Sequence, residues 1–386
     1  MIVKNESHII AQTLANLCEN FPINYWIISD TGSTDNTIEI IENFFKKENI
    51  SGYVHQSNWQ DFSYNRNLAL EQCIGKSDYI LIFDADDSIH GNLNLPQLQH
   101  DAYYFRFSSP DLSSHYYRKL LIKNNSSFRW RGVLHEFLES SNEDSRLFIE
   151  GDYYVISGRK GHRNSNPNKY FDDAQILEKA FATEEDKTLL PRYAYYCAQS
   201  YRDADMIDPA IKWYKKRLEL EGWIEEKYLC FQYLGLLHER QENHKEAIYY
   251  WQQGINLVPE RAECWYHIAR RNSWDGHYHL AYCFSRHASQ IDLPTGNRLF
   301  LNRPIYLFWC WYEYCLTSYK LELLEESYSA YKQLLMHCHQ DLVNRLQHHF
   351  PHYLPFIQKD KFIEVQTLIK NLKRLERLDL IDQIYS

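Results

Sequence analysis

Apolar residues recur along this chain in two rhythms, and the change from one to the other divides it. Residues 8–20 carry a helical spacing at Ile9, Ile10, Leu14 and Leu17. Residues 23–29 (INYWIIS) are β-branched and aromatic, which predicts a buried strand. That run stops at Asp30-Thr31-Gly32-Ser33-Thr34-Asp35, where Ser33 or Thr34 is expected to cap the next helix with Asp35 in its first turn. Ile38, Ile41 and Phe45 share one face of that helix. Residues 53–56 predict a short strand, and Asp61 a cap for a helix over 62–74 that Gly75 ends. Residues 79–83 (YILIF) predict an apolar strand running into Asp84-Ala85-Asp86-Asp87. With the short apolar run 1–3, the alternation predicts an α/β domain with a Rossmann-like, mainly parallel sheet covered on both faces. Residues 101–160 predict further strands, among them 102–107 and 153–156.

From about Pro191 the texture turns helical and rich in Tyr, Trp, Ala and Leu. Gly235 and Ala247 recur 34 residues on as Ala269 and Ala281, and Ala198 and Ala210 share the internal spacing of 12. Small residues at two fixed points let paired helices approach closely, and Pro259 and Pro294 fall just past the second helices. This is the tetratricopeptide pattern, an all-α helical repeat. Beyond Pro294 it decays, although residues 316–335 still predict a helix pair. The expected organisation is a catalytic-type α/β domain over 1–165, helical repeats over 166–293, and further helical hairpins over 294–386.

Composition refines this. The chain has 386 residues, too long for one ordinary core. Its formal net charge of −9 argues against wholesale nucleic-acid binding. The nine Cys contain no C-x-x-C and no paired metal spacing, which suggests reduced thiols in a cytoplasmic setting. No signal peptide is expected, because Lys4, Asn5 and Glu6 interrupt the start. No run approaches the ~20 apolar residues of a transmembrane segment.

Three predicted strands end in polar clusters: Lys4-Asn5-Glu6, Asp30-Thr31-Gly32-Ser33 and Asp84-Ala85-Asp86-Asp87. A parallel sheet brings such tips to one edge, where ligands bind. Two carboxylates one residue apart in Asp84-x-Asp86 suit one hard cation such as Mg2+ or Mn2+, which shares its shell with substrate phosphates. Asp30 is free to accept hydrogen bonds from a base or ribose. The planar fork of Arg66, followed by Asn67, suits a diphosphate or a base carbonyl, with a surface salt bridge as the plainer alternative.

MIVKNE (1–6), DTGSTDNT (30–37), W-x-D-F-x-x-x-R-N (59–67) and FDADD (83–87) together resemble the family 2 glycosyltransferases of the GT-A fold. More narrowly, they resemble the branch fused to tetratricopeptide repeats. WRGVLHEFLE (130–139), His162 with Lys169, and the stretch from Arg192 through Tyr201 to Trp223-Ile224-Glu225-Glu226 fit the same branch. The resemblance covers residues 1–290. It implies an inverting, metal-dependent hexosyltransferase that uses a nucleotide-diphosphate sugar, in the first place a UDP-sugar. Val3 and Asn5 would border the nucleoside, Asp30 would bind the base, and Arg66 would support the base or diphosphate. Asp84 would touch the ribose or the metal, and Ala85 would lie along the donor nucleotide. Asp86 would hold the Mn2+ or Mg2+, and His162 would complete the metal or diphosphate site. Glu136 would be the general base, with a salt bridge to Arg129 or Arg131 as its structural alternative. Trp130 would stack on a sugar or lie in the core. Members of that family usually carry several residues ahead of M-I-V-K-N-E. A short first strand, or a start lying upstream, is therefore expected.

The acceptor that follows is a peptide or protein, because helical repeats present concave faces to chain-like partners. A glycan or lipid-linked acceptor is the second reading, with the repeats mediating protein contacts or oligomerisation. A non-catalytic repeat scaffold is the third, and the intact Asp30, Arg66, Asp84, Asp86 and Glu136 speak against it. A nucleotidyltransferase would show a Gly-rich phosphate loop, which Lys4-Asn5-Glu6-Ser7 is not.

Overall fold

The computed structural model describes residues 1–109, 115–158, 160, 161, 163, 166–295 and 298–385. It divides into two compact units, Met1–Gly222 and Trp223–Ser386.

The first unit opens with β1 (Ile2–Val3), α1 (Ile10–Asn20), β2 (Tyr25–Asp30), α2 (Thr37–Lys47), β3 (Ser51–Gln56) and α3 (Phe62–Cys73). The three strands form a parallel sheet in the order β1-β2-β3, with Val3 opposite Asp30 and Asp30 opposite Gln56. Val3, Ile10, Leu14, Trp26, Ile28, Ile41, Phe45 and Ala85 form the core around it. The Trp26 ring stacks on Phe45 at 4.5 Å. Asp61 caps α3 by accepting from the Tyr64 amide at 2.8 Å, and Gly75, at φ +72°, follows its end.

The cap expected at Ser33 or Thr34 is built differently. Asn36 precedes α2 without a side-chain bond, and the Thr37 amide donates instead to Asp35 Oδ1 at 3.0 Å. Ser33 is taken by the neighbouring strand tip, as described below.

The remaining strands are β4 (Tyr79–Leu81), β5 (Ser88–Gly91), β6 (Ala102–Ser108), β7 (His115–Lys123), β8 (Phe128–Arg131), β9 (Phe137–Ser140), β10 (Arg146–Phe148) and β11 (Tyr153–Ile156). Six of them form a mixed sheet, β4-β7-β6-β11-β5 with β10 beside β6, while β8 and β9 form a separate hairpin. β4 was expected to extend the parallel sheet. It is shorter than the apolar run 79–83 and pairs antiparallel with β7. β1 spans two residues and pairs only with Ser29 and Asp30, leaving Tyr25–Ile28 of β2 unpaired on that edge. A cavity of about 130 Å3, lined by Met1, Ile2, Trp26, Ile27 and residues 79–83, lies there.

The unit closes with α4 (Lys169–Thr183), α5 (Leu190–Asp203) and α6 (Ile207–Leu218).

The second unit is helical. Its elements are α7 (Ile224–Arg240), α8 (His244–Leu257), α9 (Ala262–Trp274), α10 (Tyr278–Ser289), α11 (Cys310–Lys320), α12 (Leu324–His337), α13 (Gln340–Leu346), α14 (Leu354–Ile357), α15 (Phe362–Arg374) and α16 (Leu378–Tyr385). The hairpins are tetratricopeptide-like, and their backbone explains the repeat. A Cβ on Gly235 would overlap the buried Trp251 indole, so α7 and α8 meet only because that position is bare. Five hairpin turns, the first of them between α5 and α6 of the N-terminal unit, hold one left-handed residue each: Asp205, Glu242, Gly276, Glu322 and Glu376. Five residues after each stands the inward position of the second helix, Ala210, Ala247, Ala281, Ser327 and Ile381, all buried. The pattern thus continues beyond Pro294, carried by the turns after the small side chains have changed. No helix among the described residues is long and apolar enough to cross a membrane.

Glu313 on α11 is buried, and one of its carboxylate oxygens has no hydrogen-bond partner. Burial pushes it from 4.5 up to about 7, against bonding from Ser273 and the charge of Arg270. The folded state therefore favours the neutral acid. Its contribution to stability is complete below the unfolded value and is lost as pH rises through about 7. Glu313→Gln keeps the neutral form. The variant is expected to gain on the parent protein in thermal unfolding as pH is raised from about 5 to about 8. A constant difference across that range would contradict this account.

Candidate active site

The site begins where two sequence motifs bolt together. The Asn5 amide donates to Ser33 Oγ at 2.9 Å, and Asn5 Oδ1 accepts from the Thr34 amide at 2.8 Å. The Glu6 amide donates to Thr37 Oγ1 at 2.8 Å, and the Ser7 amide to Asp35 at 3.2 Å. Asn5 adopts φ 56°, a left-handed conformation that its short amide tolerates. Its N–H and Oδ1 thus tie one strand tip to the next.

Asp30 ends β2 beside Val3. Its Oδ1 accepts from the Gly32 and Ser33 amides, both at 2.9 Å. Its Oδ2 is buried and has no hydrogen-bond partner. A buried carboxylate oxygen left unpaired is costly, and it marks a position where a donor group from elsewhere is wanted. Ala85 joins Val3 in one core cluster, and its carbonyl accepts from Thr13 Oγ1 at 2.6 Å. The DADD segment is thereby anchored beside the first strand.

Arg66 and Asn67 divide the work of α3. Asn67 holds the backbone of Trp130 through both its amide groups, donating to the carbonyl at 2.9 Å and accepting from the N–H at 2.8 Å. This fixes the β8–β9 hairpin on the helix. Arg66 lies over the Trp130 ring at 4.8 Å, so Trp130 belongs to the core. Its guanidinium donates to Asp84 Oδ1 at 2.6 Å and to Glu136 Oε1 at 2.6 Å. The salt bridge expected for Glu136 with Arg129 or Arg131 is not the one formed. Arg131 pairs instead with Glu139 and Asp186.

Arg118, which sequence reading missed, donates to the other oxygen of Asp84 at 3.0 Å and lies 3.5 Å from Asp87. Burial works against the Asp84 carboxylate, but Arg66 and then Arg118 outweigh it and hold its pKa well below the usual range. Asp86 moves the other way: burial first, then the charge of Asp84, raise it. The only signal for Arg118 was a cation on a strand beside an acidic tip, which many solvated strands share.

Gly158 and Gly161 close around Asp86. A Cβ on Gly158 would overlap the Asp86 carbonyl, and one on Gly161 would lie 3.3 Å from Asp86 Oδ2 and 3.4 Å from Glu6 Oε1. The Lys4-Asn5-Glu6 tip therefore meets Asp86, as expected of strand ends on one edge. His162 lies outside the described residues. Among the described residues no group of three or more His, Cys, Asp or Glu gathers as a metal site. The donor chemistry still fits a hard divalent ion. Asp86 is a half-buried carboxylate whose anionic form is disfavoured by burial and by Asp84 and only partly offset by the Gly161 N–H and Lys169, and such ions commonly bind through one or two carboxylates plus substrate phosphates.

The strand tips of this α/β unit gather carboxylates around the buried Arg66 and the partly exposed Arg118. Residues 1–126 match the family model described as glycosyl transferase family 2, so the chain carries a family 2 glycosyltransferase domain at its N-terminus. Glycosyltransferase GlyG of Streptococcus pneumoniae serotype 4 (strain ATCC BAA-334 / TIGR4) is 32% identical over 92 residues, 24% of this chain and 28% of that protein. The chain thus matches under a third of that relative's length. Among solved structures, MamA superposes with a TM-score of 0.36 at 15% identity, over 45% of this chain and 93% of MamA. The C-terminal part of a TPR repeat-containing protein from Cytophaga hutchinsonii gives a TM-score of 0.35 at 16% identity, over 53% of this chain and 74% of that one. These superpositions are too loose to bear on function.

Replacing Arg66 by Met would leave Asp84 and Glu136 as carboxylates without their shared cation. Breaking a buried pair in this way costs about 3–5 kcal/mol. Denaturant unfolding of Arg66→Met, followed on the N-terminal unit, is expected to show a loss of that order, with Arg66→Lys intermediate. A loss below about 1 kcal/mol would mean that the network is solvated.

Proposed function

We propose that the protein is an inverting glycosyltransferase that moves a sugar from a nucleotide-diphosphate sugar, in the first place a UDP-sugar, to a peptide, protein or glycan acceptor. The observation that carries this reading is the single guanidinium of Arg66, which holds Asp84 and Glu136 together. It ties a carboxylate of the donor corner to a carboxylate suited to base catalysis.

In this reading the nucleoside lies along the Val3 backbone and Asn5, and its base or ribose donates to the unpaired Oδ2 of Asp30. Asp84 and the Ala85 backbone border the donor. Asp86 would hold a divalent cation, Mn2+ or Mg2+, which would supply Lewis-acid neutralisation of the diphosphate charge. Arg66 orients Glu136 through Oε1 and leaves Oε2 for the acceptor. Transfer is one in-line displacement. The acceptor atom bonds to the anomeric carbon as the bond to the phosphate oxygen breaks, the electron pair leaves with the diphosphate, and Glu136 takes the acceptor proton. The nine free cysteines suit a reducing, cytoplasmic setting.

UDP with manganese is expected to raise the thermal midpoint, since a ligand bound only to the folded state stabilises it. Asp86→Ala should abolish the manganese-dependent part of that shift. Glu136→Gln should keep the shift and lose transfer to acceptor. A donor screen over UDP-, GDP- and dTDP-sugars with neither a midpoint shift nor nucleotide release would instead support a non-catalytic scaffold.

A further inference from the structure

The loop that carries Glu136 is gripped by a helix that lies beyond the matched family region. We propose that Arg192 and Tyr196 of α5 are positioning residues for Glu136, so that the first helical hairpin is part of the catalytic centre. This rests on the reading of Glu136 as the base.

The starting observation is His135, which precedes Glu136 at φ 53°. A non-glycine residue in that left-handed region is strained and persists only where its surroundings over-determine it. Those surroundings come from α5. Arg192 Nε donates to the His135 carbonyl at 2.7 Å. The His135 ring stacks on Tyr196 with centroids 4.0 Å apart and planes 10° from parallel. The Arg192 guanidinium also lies 4.8 Å over the Tyr196 ring and 5.0 Å over Phe137. One arginine and one tyrosine thus hold the residues on both sides of Glu136.

The rest of the loop is tied to the same hairpin. The Val133 amide donates to the Tyr193 hydroxyl at 3.2 Å, and that hydroxyl donates to Glu184 at 3.1 Å. Arg131 pairs with Asp186 and donates to Thr188 Oγ1 at 3.0 Å.

These contacts decide where the carboxylate points. On one side Arg66 fixes Oε1 of Glu136. On the other, the left-handed turn at His135 sets the direction in which the Glu136 side chain leaves the backbone. If His135 relaxed to negative φ, that direction would swing and the carboxylate would leave its line to the acceptor. A base misplaced by about 1 Å costs roughly a hundredfold in rate.

In the full chain, Arg192→Ala and Tyr196→Leu are expected to lower the kcat of sugar transfer about a hundredfold. The KM for nucleotide sugar and the UDP–manganese midpoint shift should stay at parent values. Adding His135→Gly to Arg192→Ala is expected to recover about tenfold in kcat, because glycine takes the left-handed conformation unaided. A loss due only to general destabilisation would not be rescued in this way. Without substrate, hydrogen exchange of the amides of residues 133–137 should rise about tenfold in Arg192→Ala. Parental exchange there overturns the proposal, as does a loss confined to donor KM or a parental kcat. If the parent chain turns over no nucleotide sugar, the catalytic reading fails instead, and the exchange measurement still decides whether α5 holds the loop.

Discussion

One buried guanidinium organises the N-terminal unit. Arg66 joins a strand tip, through Asp84, to the loop between β8 and β9, through Glu136, and its flat face rests on Trp130. Taking these charges out of water is expensive, and their mutual attraction offsets the cost only when the geometry is good. Much of the surrounding fold serves that geometry. Asp61 starts α3 at the right place, Asn67 clamps the hairpin backbone, and Arg118 neutralises the far side of Asp84. The sheet supplies the platform, but the ion network decides where the two carboxylates stand.

The elements of the first hundred residues were legible because their signals are local. The apolar run 23–29, the Asp61 cap and the Gly75 stop each act within a few residues, and all three appear close to where they were expected. The partner of β4 was not legible. A short buried run carries no record of which strand it pairs with, and β4 takes β7. The Asp30-Thr31-Gly32-Ser33 turn was read as a cap with Asp35 in the helix. In the fold Ser33 serves Asn5, because a hydroxyl near a helix start can equally satisfy the next strand tip.

The candidate site divides in the same way. Asp30, Arg66, Asp84, Asp86 and Glu136 were readable as motif residues, but their partnerships were not. Arg66 was read as a nucleotide contact with a surface salt bridge as the alternative, and it is a buried link between carboxylates. Arg118 and Arg192 were given no role, since a lone arginine on a strand or helix resembles any solvated cation until its neighbours are known. The helical repeat was visible where its inward residues are small. It faded where Cys315 and Ser327, then Ile369 and Ile381, take those positions, although all four remain buried.

The recurrent left-handed residue of the hairpin turns has a consequence for how such a chain can change length. From Asp205, Glu242, Gly276, Glu322 or Glu376 the inward position of the next helix is always five residues on. An insertion or deletion inside that interval would rotate the helix by about 100° and turn its buried stripe to solvent. Length variation is therefore tolerated only in the links between hairpins. Related chains are best brought into register by counting from the bend rather than by matching alanines.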